Sequence, residues 1–190
     1  AWDSNCGGRR AFWRAWSPVG HFGQPVLTNP QPWLTDLAFV NGNLVLGLRD
    51  RFGDQVGTRT GSTDPDSHAF FSGIGAGDIL RACLNSNRQW VLESNGTCAP
   101  TTTEGAGTLQ GPGGGEFYFE DDHAKYGDPA FLPRHDETTL GGLEEIPGWP
   151  VVMTTAYDPI PIEGEGQRND GGVIWFNNAT GARARTYRVY

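Results

Sequence analysis

Arg49, Asp50, Arg51, Asp54 and Gln55 crowd into seven residues at the end of "LVLGLRDRFGDQVG", Leu44 to Gly57. Three kinds of chemistry fit such a knot. Asp50 and Asp54, joined by Asp64 and Asp66 from "STDPDS", supply the hard oxygens of a calcium loop, although the spacing lacks the D-x-D-x-D-G order of an EF-hand. One of the two carboxylates beside Arg49 or Arg51 could serve glycan cleavage, which needs a second carboxyl group across a cleft. The third reading is structural: ion pairs among Arg49, Asp50, Arg51 and Asp54 fasten a strand end to the loop that follows. No residue is assigned a catalytic role.

Other groups invite the same weighing. His135, Asp136 and Glu137 in "RHDETT", with Asp121, Asp122 and His123, are metal-capable types without a helix-borne zinc spacing. "GPGGGE" lacks the Lys-Ser/Thr of a phosphate loop and reads as a flexible loop or a close backbone approach. Trp13, Trp16, Trp33 and Trp149 fall near turns, where indole rings either stack on sugars or pack in a core. Calcium is the one cofactor the residues suggest.

Of three cysteines, Cys83 and Cys98 flank "CLNSNRQWVLESNGTC". A hairpin turning near Asn85–Arg88 would let the two sulfurs meet and form a disulfide; the alternative is two buried thiols. Closing a loop of that length contributes roughly 3 kcal/mol through the unfolded state. Cys6 is then unpaired or bonded outside the chain. Asn95-Gly96-Thr97 and Asn178-Ala179-Thr180 are glycosylation sequons in turn-like sequence, and they lean towards an extracellular setting.

These groups must be positioned by β-structure. The 190 residues include 28 Gly and 13 Pro, yet also 7 Trp, 10 Phe and 5 Tyr, a balance of many turns and a large aromatic core. The net charge is −8 and Lys125 is the only lysine, so the chain lacks the basic footprint of a nucleic-acid binder. No 18-residue apolar run provides a membrane span. The opening "AWDSNC" has no initiator Met, as in a processed or proteolysed product.

Period-two alternation and turn pairs place the hairpins. Asn41-Gly42 joins one pair, with Leu44, Leu46 and Leu48 in phase. "GDILRACLNSNRQWVLES" forms a second, and "EFYFEDD" a short strand from Glu116 to Glu120. Pro147-Gly148 joins a third pair, and Asn177–Gly181 turns a fourth. No helix is predicted. Gly77 matches Gly171 or Gly172, so a unit of hairpin, long insertion and hairpin occurs twice. Tandem four-stranded meanders are the pattern of propeller blades, and two blades alone cannot close a ring. The expected fold is all-β and propeller-like, with two four-stranded units as part of a larger propeller; face-to-face packing as a sandwich is the other arrangement. Residues 1–33 form an arm or the end of a preceding blade, 34–115 the first unit and 116–190 the second.

"LTDLAFVNGNLVLGLRDRFGDQVG", "GDILRACLN…WVLESNGTC", "QGPGGGEFY", "HDETTLGGLEEIPG" and "GGVIWFNNATGARARTYRVY", in this order, resemble a region of large bacterial secreted proteins that carry SdrD B-like repeats. The resemblance covers Leu34 to Tyr190. It implies an extracellular, propeller-like part of a bigger surface protein and no catalytic residues. The expected function is therefore a structural, adhesive or assembly module at the cell surface, partnered by the domains or chains that complete its β-structure. The alternatives are a glycan-binding or glycan-cleaving propeller and an accessory subunit of a membrane or filament assembly.

Overall fold

The computed structural model describes residues 3–6, 9–12, 22–23, 27–28, 31–57, 60–62, 65–66, 68, 70–71, 77–98, 106–120, 138–157, 159–160 and 170–189. In chain order the elements are β1 (Asp3–Cys6), β2 (Arg9–Phe12), β3 (Phe22–Gly23), β4 (Leu27–Thr28), β5 (Pro32–Val40) and β6 (Asn43–Asp50). Helix α1 (Arg51–Val56) follows, then β7 (Thr60–Gly61), β8 (Phe70–Phe71), β9 (Gly77–Leu84) and β10 (Trp90–Leu92). The rest are β11 (Ala106–Gly111), β12 (Gly114–Glu116), β13 (Thr139–Glu145), β14 (Val151–Tyr157), β15 (Gly171–Asn177) and β16 (Arg183–Arg188). No helix among them is long and apolar enough to cross a membrane.

The fold is all-β. Two four-stranded antiparallel sheets dominate it, ordered β10-β9-β6-β5 and β13-β14-β15-β16; the second is a meander of successive strands, and the first is one with α1, β7 and β8 inserted between β6 and β9. The turns follow from their residues. Asn41 and Gly42 both have positive φ, 49° and 78°, as a two-residue hairpin turn of matching twist requires. Pro147 and Gly148 (φ 85°) make the second turn, closed by the Trp149 N–H donating to the Ile146 carbonyl at 2.9 Å. Pro32 lies at the start of an edge strand, where a missing N–H is tolerated.

Directly opposed residues in an antiparallel ladder share a face. In the first sheet Ala38, Val45 and Arg81 line up across three strands, and this face is turned inward. In the second, Val152 opposes Phe176 and Thr154 opposes Ile174. Ala38, Val40, Val45 and Ile79 from one sheet form a single core with Val152, Ala156, Ile174 and Phe176 from the other, and Phe117 and Tyr118 join it.

The sheets meet where both are irregular. The β5–β6 register shifts between Leu34 and Asp36, and the β13–β14 register shifts between Thr139 and Leu143. These bulges face each other. The Thr35 hydroxyl lies 3.1 Å from the carbonyls of both Gly47 and Gly141, and the Leu143 N–H donates to Asp36 Oδ2 at 2.9 Å. Backbone approaches backbone so closely that a Cβ on Gly47 would run into the Gly141 carbonyl.

Two expectations need correction. The segment after Asp50 begins as a helix rather than a loop. The aromatic run does not continue as a strand to Glu120: β12 ends at Glu116, because the Phe117 N–H donates at 2.8 Å to a Glu93 side chain instead of to a ladder.

Gly47→Ala is expected to lower unfolding stability by roughly 3 kcal/mol, because neither backbone can yield. Gly42→Ala adds a Cβ into open space and carries only the left-handed strain, about 1 kcal/mol. Urea denaturation of the two variants checks this order.

Candidate functional site

The charged knot is a helix cap and a clamp. Asp50 is buried, and its Oδ2 accepts the Gly53 N–H at 2.9 Å, the bond by which an aspartate caps the first turn of a helix. Its Oδ1 accepts the Gln31 N–H at 2.8 Å, tying the end of β6 to the residue before β5. The Arg51 N–H returns to the Gln31 carbonyl at 3.0 Å. The Arg51 side chain donates to Gln31 Oε1 and, at 2.9 Å, to Gln55 Oε1. Arg49 pairs with Asp54. Gly57, with positive φ, ends the helix by donating to the Gly53 carbonyl at 2.9 Å. Hydrogen bonds to a charged group contribute about 1.5–3 kcal/mol each, so Asp50 is a structural anchor.

Of the calcium candidates, Asp50 and Asp54 are thus engaged by N–H groups and by Arg49, Asp66 stands in a separate turn, and Asp64 lies outside the described residues. No group of three or more His, Cys, Asp or Glu able to hold a metal occurs among the described residues. Asp121, Asp122, His123, His135, Asp136 and Glu137 lie outside them, as do Trp13 and Trp16. Trp33 and Trp149 are exposed.

Cys83 and Cys98 form a disulfide, with Cα atoms 5.7 Å apart. The hairpin turns at Asn85, whose Oδ1 accepts the N–H groups of Asn87 and Gln89 at 2.9 Å. Asn95 is exposed, and its Oδ1 accepts the Gly115 N–H at 2.9 Å. Asn178 differs: its Oδ1 accepts the Tyr118 hydroxyl at 3.1 Å and its Nδ2 is buried. Of the two sequon asparagines, Asn95 is the exposed one and Asn178 is half-buried.

A second polar cluster is buried beneath the first sheet, and the sequence reading did not single it out. Glu93 is 1 % exposed. Its Oε1 accepts the Arg81 N–H at 2.7 Å, and its Oε2 accepts the Phe117 N–H at 2.8 Å. The Arg81 guanidinium lies 3.4 Å from the centroid of the Phe117 ring and donates to the Gly96 carbonyl at 2.9 Å. Phe117 meets Tyr118 edge-on at 4.8 Å, and Tyr118 meets Phe176 at 5.7 Å. Burial pushes the Glu93 carboxyl up to about 7, against the pull of the Arg81 and Phe117 N–H groups and the Arg81 charge. Burial also raises the Tyr118 phenol and lowers Arg81. A carboxyl so enclosed reaches no substrate; its chemistry is to fix Phe117 against Arg81. The signal for it was phase. Glu93 stands two residues after Val91, which opposes Cys83, and so falls on the inward face with Arg81.

The opposite face of the same sheet is apolar: Leu48, Leu80 and Ala82 on it are buried, Leu44 and Leu46 are half-buried, and a cluster at one end is exposed. Leu37 and Leu46 are opposed, as are Phe39 with Leu44, Leu44 with Ala82, and Ala82 with Leu92. Phe39 is 66 % exposed and Trp90 42 %, with ring centroids 5.9 Å apart; Leu37 and Leu92 are exposed beside them.

The chain is similar to three curated proteins of Dictyostelium discoideum. It is 32 % identical to Colossin-A over 196 residues, covering 99 % of this chain and 1 % of that protein. Identity to Colossin-B is 38 % over 161 residues, covering 79 % and 4 %, and to Colossin-C 26 % over 187 residues, covering 95 % and 15 %. The chain thus spans a small fraction of the relatives it matches. No protein-family model matches it, and no solved structure matches it significantly. The resemblance to bacterial proteins with SdrD B-like repeats is overturned: the relatives are eukaryotic.

The raised Glu93 value sets a pH dependence. Between about 4.5 and about 7 the folded chain keeps a proton that the unfolded chain has released. Stability from this group is complete below 4.5 and is lost as pH rises through 7. Urea midpoints are expected to be lower at pH 8 than at pH 5. Glu93→Gln, which cannot titrate and sets an NH₂ against an N–H donor, is expected to lower both midpoints and flatten their difference.

Proposed function

We propose that the chain is a non-catalytic structural module that assembles with other β-sheets outside the cell, in an adhesive or scaffolding role. The observation that carries this reading is the exposed apolar cluster of Leu37, Phe39, Trp90 and Leu92. Contiguous apolar surface of this kind marks interaction sites. The Cys83–Cys98 bridge favours an oxidising compartment, and the exposed Asn95 sequon suits the same setting. Within this reading the two meanders are consecutive blades of a propeller-like stack, residues 34–115 and 116–190, with 1–33 as an arm or the end of a preceding blade. The partners are then the domains or chains that complete the β-structure. A second reading, glycan binding, draws on the exposed indoles of Trp33 and Trp149.

Intact-mass analysis and peptide mapping of native material test the setting. The expected result is a linked Cys83–Cys98 peptide, a glycan on Asn95 and recovery in a complex larger than the chain. Free thiols at both cysteines in material recovered as a cytosolic monomer would overturn it.

A further inference from the structure

Residues 117–120 cross from the first sheet to the second and belong to neither ladder. At one end the Phe117 N–H donates to Glu93 Oε2 at 2.8 Å, and the Phe117 ring lies under the Arg81 guanidinium. At the other end the segment runs along the turn between β15 and β16. The Tyr118 hydroxyl donates to Asn178 Oδ1 at 3.1 Å, the Phe119 N–H to the Gly181 carbonyl at 3.2 Å, and the Arg183 N–H to Glu120 Oε2 at 3.3 Å. The Phe117 carbonyl sits so close to Gly181 (φ 76°) that a Cβ there would collide with it.

The two ends differ in chemistry. What precedes Phe117 is fixed by backbone: the Asn95 N–H donates to the Pro112 carbonyl at 2.6 Å, Asn95 Oδ1 accepts the Gly115 N–H at 2.9 Å, and the Cys83–Cys98 bridge closes the loop that carries Asn95 and Glu93. The bond from Phe117 to Glu93 is instead made by a titratable side chain. The charged or titratable groups around that carboxyl are Arg81 from β9, Tyr118 from the segment itself, and Glu116, buried, one residue before the bonded N–H. The Arg81 charge and the two N–H groups pull the carboxyl down and burial outweighs them, so the enclosed group keeps its proton up to about 7. Opening the segment returns it to water and to its ordinary value of 4.5.

We propose that residues 117–120 are a clasp between the two sheets that opens as one unit, the Glu93 proton passing to solvent as it does so. Opening breaks the side-chain bonds of four residues and leaves both central ladders and the Gly47–Gly141 contact in place. A short segment without a ladder opens at lower cost than the sheets it lies on. Its release uncovers Tyr118 and Phe176, which are buried against each other in the closed chain. Below about 4.5 the closed and open forms both hold the proton, and above about 7 neither does. Between these values opening releases one proton, so the open fraction rises with pH. The sheet pair is therefore clasped in acidic surroundings and looser in neutral ones. This device does not depend on the assembly reading.

Amide hydrogen exchange of the chain, followed by NMR between pH 5 and 8 and corrected for the intrinsic effect of pH, tests this. Protection of the Phe117 and Phe119 N–H groups is expected to fall together, roughly tenfold per pH unit between 5 and 6 and on the order of 50-fold from pH 5 to pH 8, levelling above 7. At every pH it is expected to stay below that of the β14–β15 ladder amides. Protection that ignores pH, separate opening of the two amides, or protection equal to the ladder's, the mark of whole-chain unfolding, overturns the proposal. Glu93→Gln is expected to abolish the slope. A slope that survives it belongs to another acid, such as Glu116, and overturns the proposal too. Tyr118→Phe, which removes the Asn178 bond, decides the matter should the Gln variant not fold. It is expected to lower protection at both amides roughly fivefold with the slope unchanged; an effect confined to Phe119 contradicts opening as one unit.

Discussion

The Glu93 carboxylate is bonded by two backbone N–H groups from different parts of the chain, Arg81 in β9 and Phe117 beyond β12. Removing a carboxylate from water is costly, and here the donors and the Arg81 cation offset only part of the loss, so the carboxyl holds its proton up to about 7. Here the donors decide the geometry. Phe117 is pulled out of the ladder and onto the Arg81 guanidinium, and Tyr118 is carried with it into contact with Phe176 of the second sheet. The nearby Cys83–Cys98 bridge holds the segment after Glu93 against β9. One polar cluster thus decides that the first sheet closes on the face bearing Val45 rather than on the more apolar face bearing Leu44.

That choice has a consequence for the whole arrangement. The core face of the first sheet carries the buried Arg81–Glu93 cluster beside Val45 and Ile79, while the opposite face keeps Phe39, Trp90 and Leu92 exposed. The bulge-to-bulge contact of Gly47 and Gly141 sets the second sheet against the closed side, where Thr35 and Asp36 bind the β13 backbone. The second sheet meets it with the face bearing Val152, Ile174 and Phe176.

The sequence showed the strands more readily than their surroundings. Asn41-Gly42 and Pro147-Gly148 announce their turns because only certain residues take positive φ there. The Cys83–Cys98 pairing followed from hairpin length. The row Leu44, Leu46, Leu48 was legible as a strand face, but alternation reports that a face is apolar and not what covers it. Arg81 and Glu93 were passed over because their meaning depends on Phe117, 24 residues beyond Glu93 and outside any local pattern. Helix α1 is too short for a helical period, and its signal was the Asp50 cap within the charged knot. The ordered motifs pointed to bacterial surface proteins, whereas the relatives are Colossins of Dictyostelium discoideum.

Which face of the first sheet is open is decided most directly by hydroxyl-radical footprinting of the dilute wild-type chain, read by mass spectrometry residue by residue. Phe39 and Trp90 should label rapidly, while Phe117, Tyr118 and Phe176 remain protected until the chain unfolds. Protection of Phe39 and Trp90 in the dilute monomer, with rapid labelling of Phe117 and Tyr118, would contradict the closure of the sheet around Glu93.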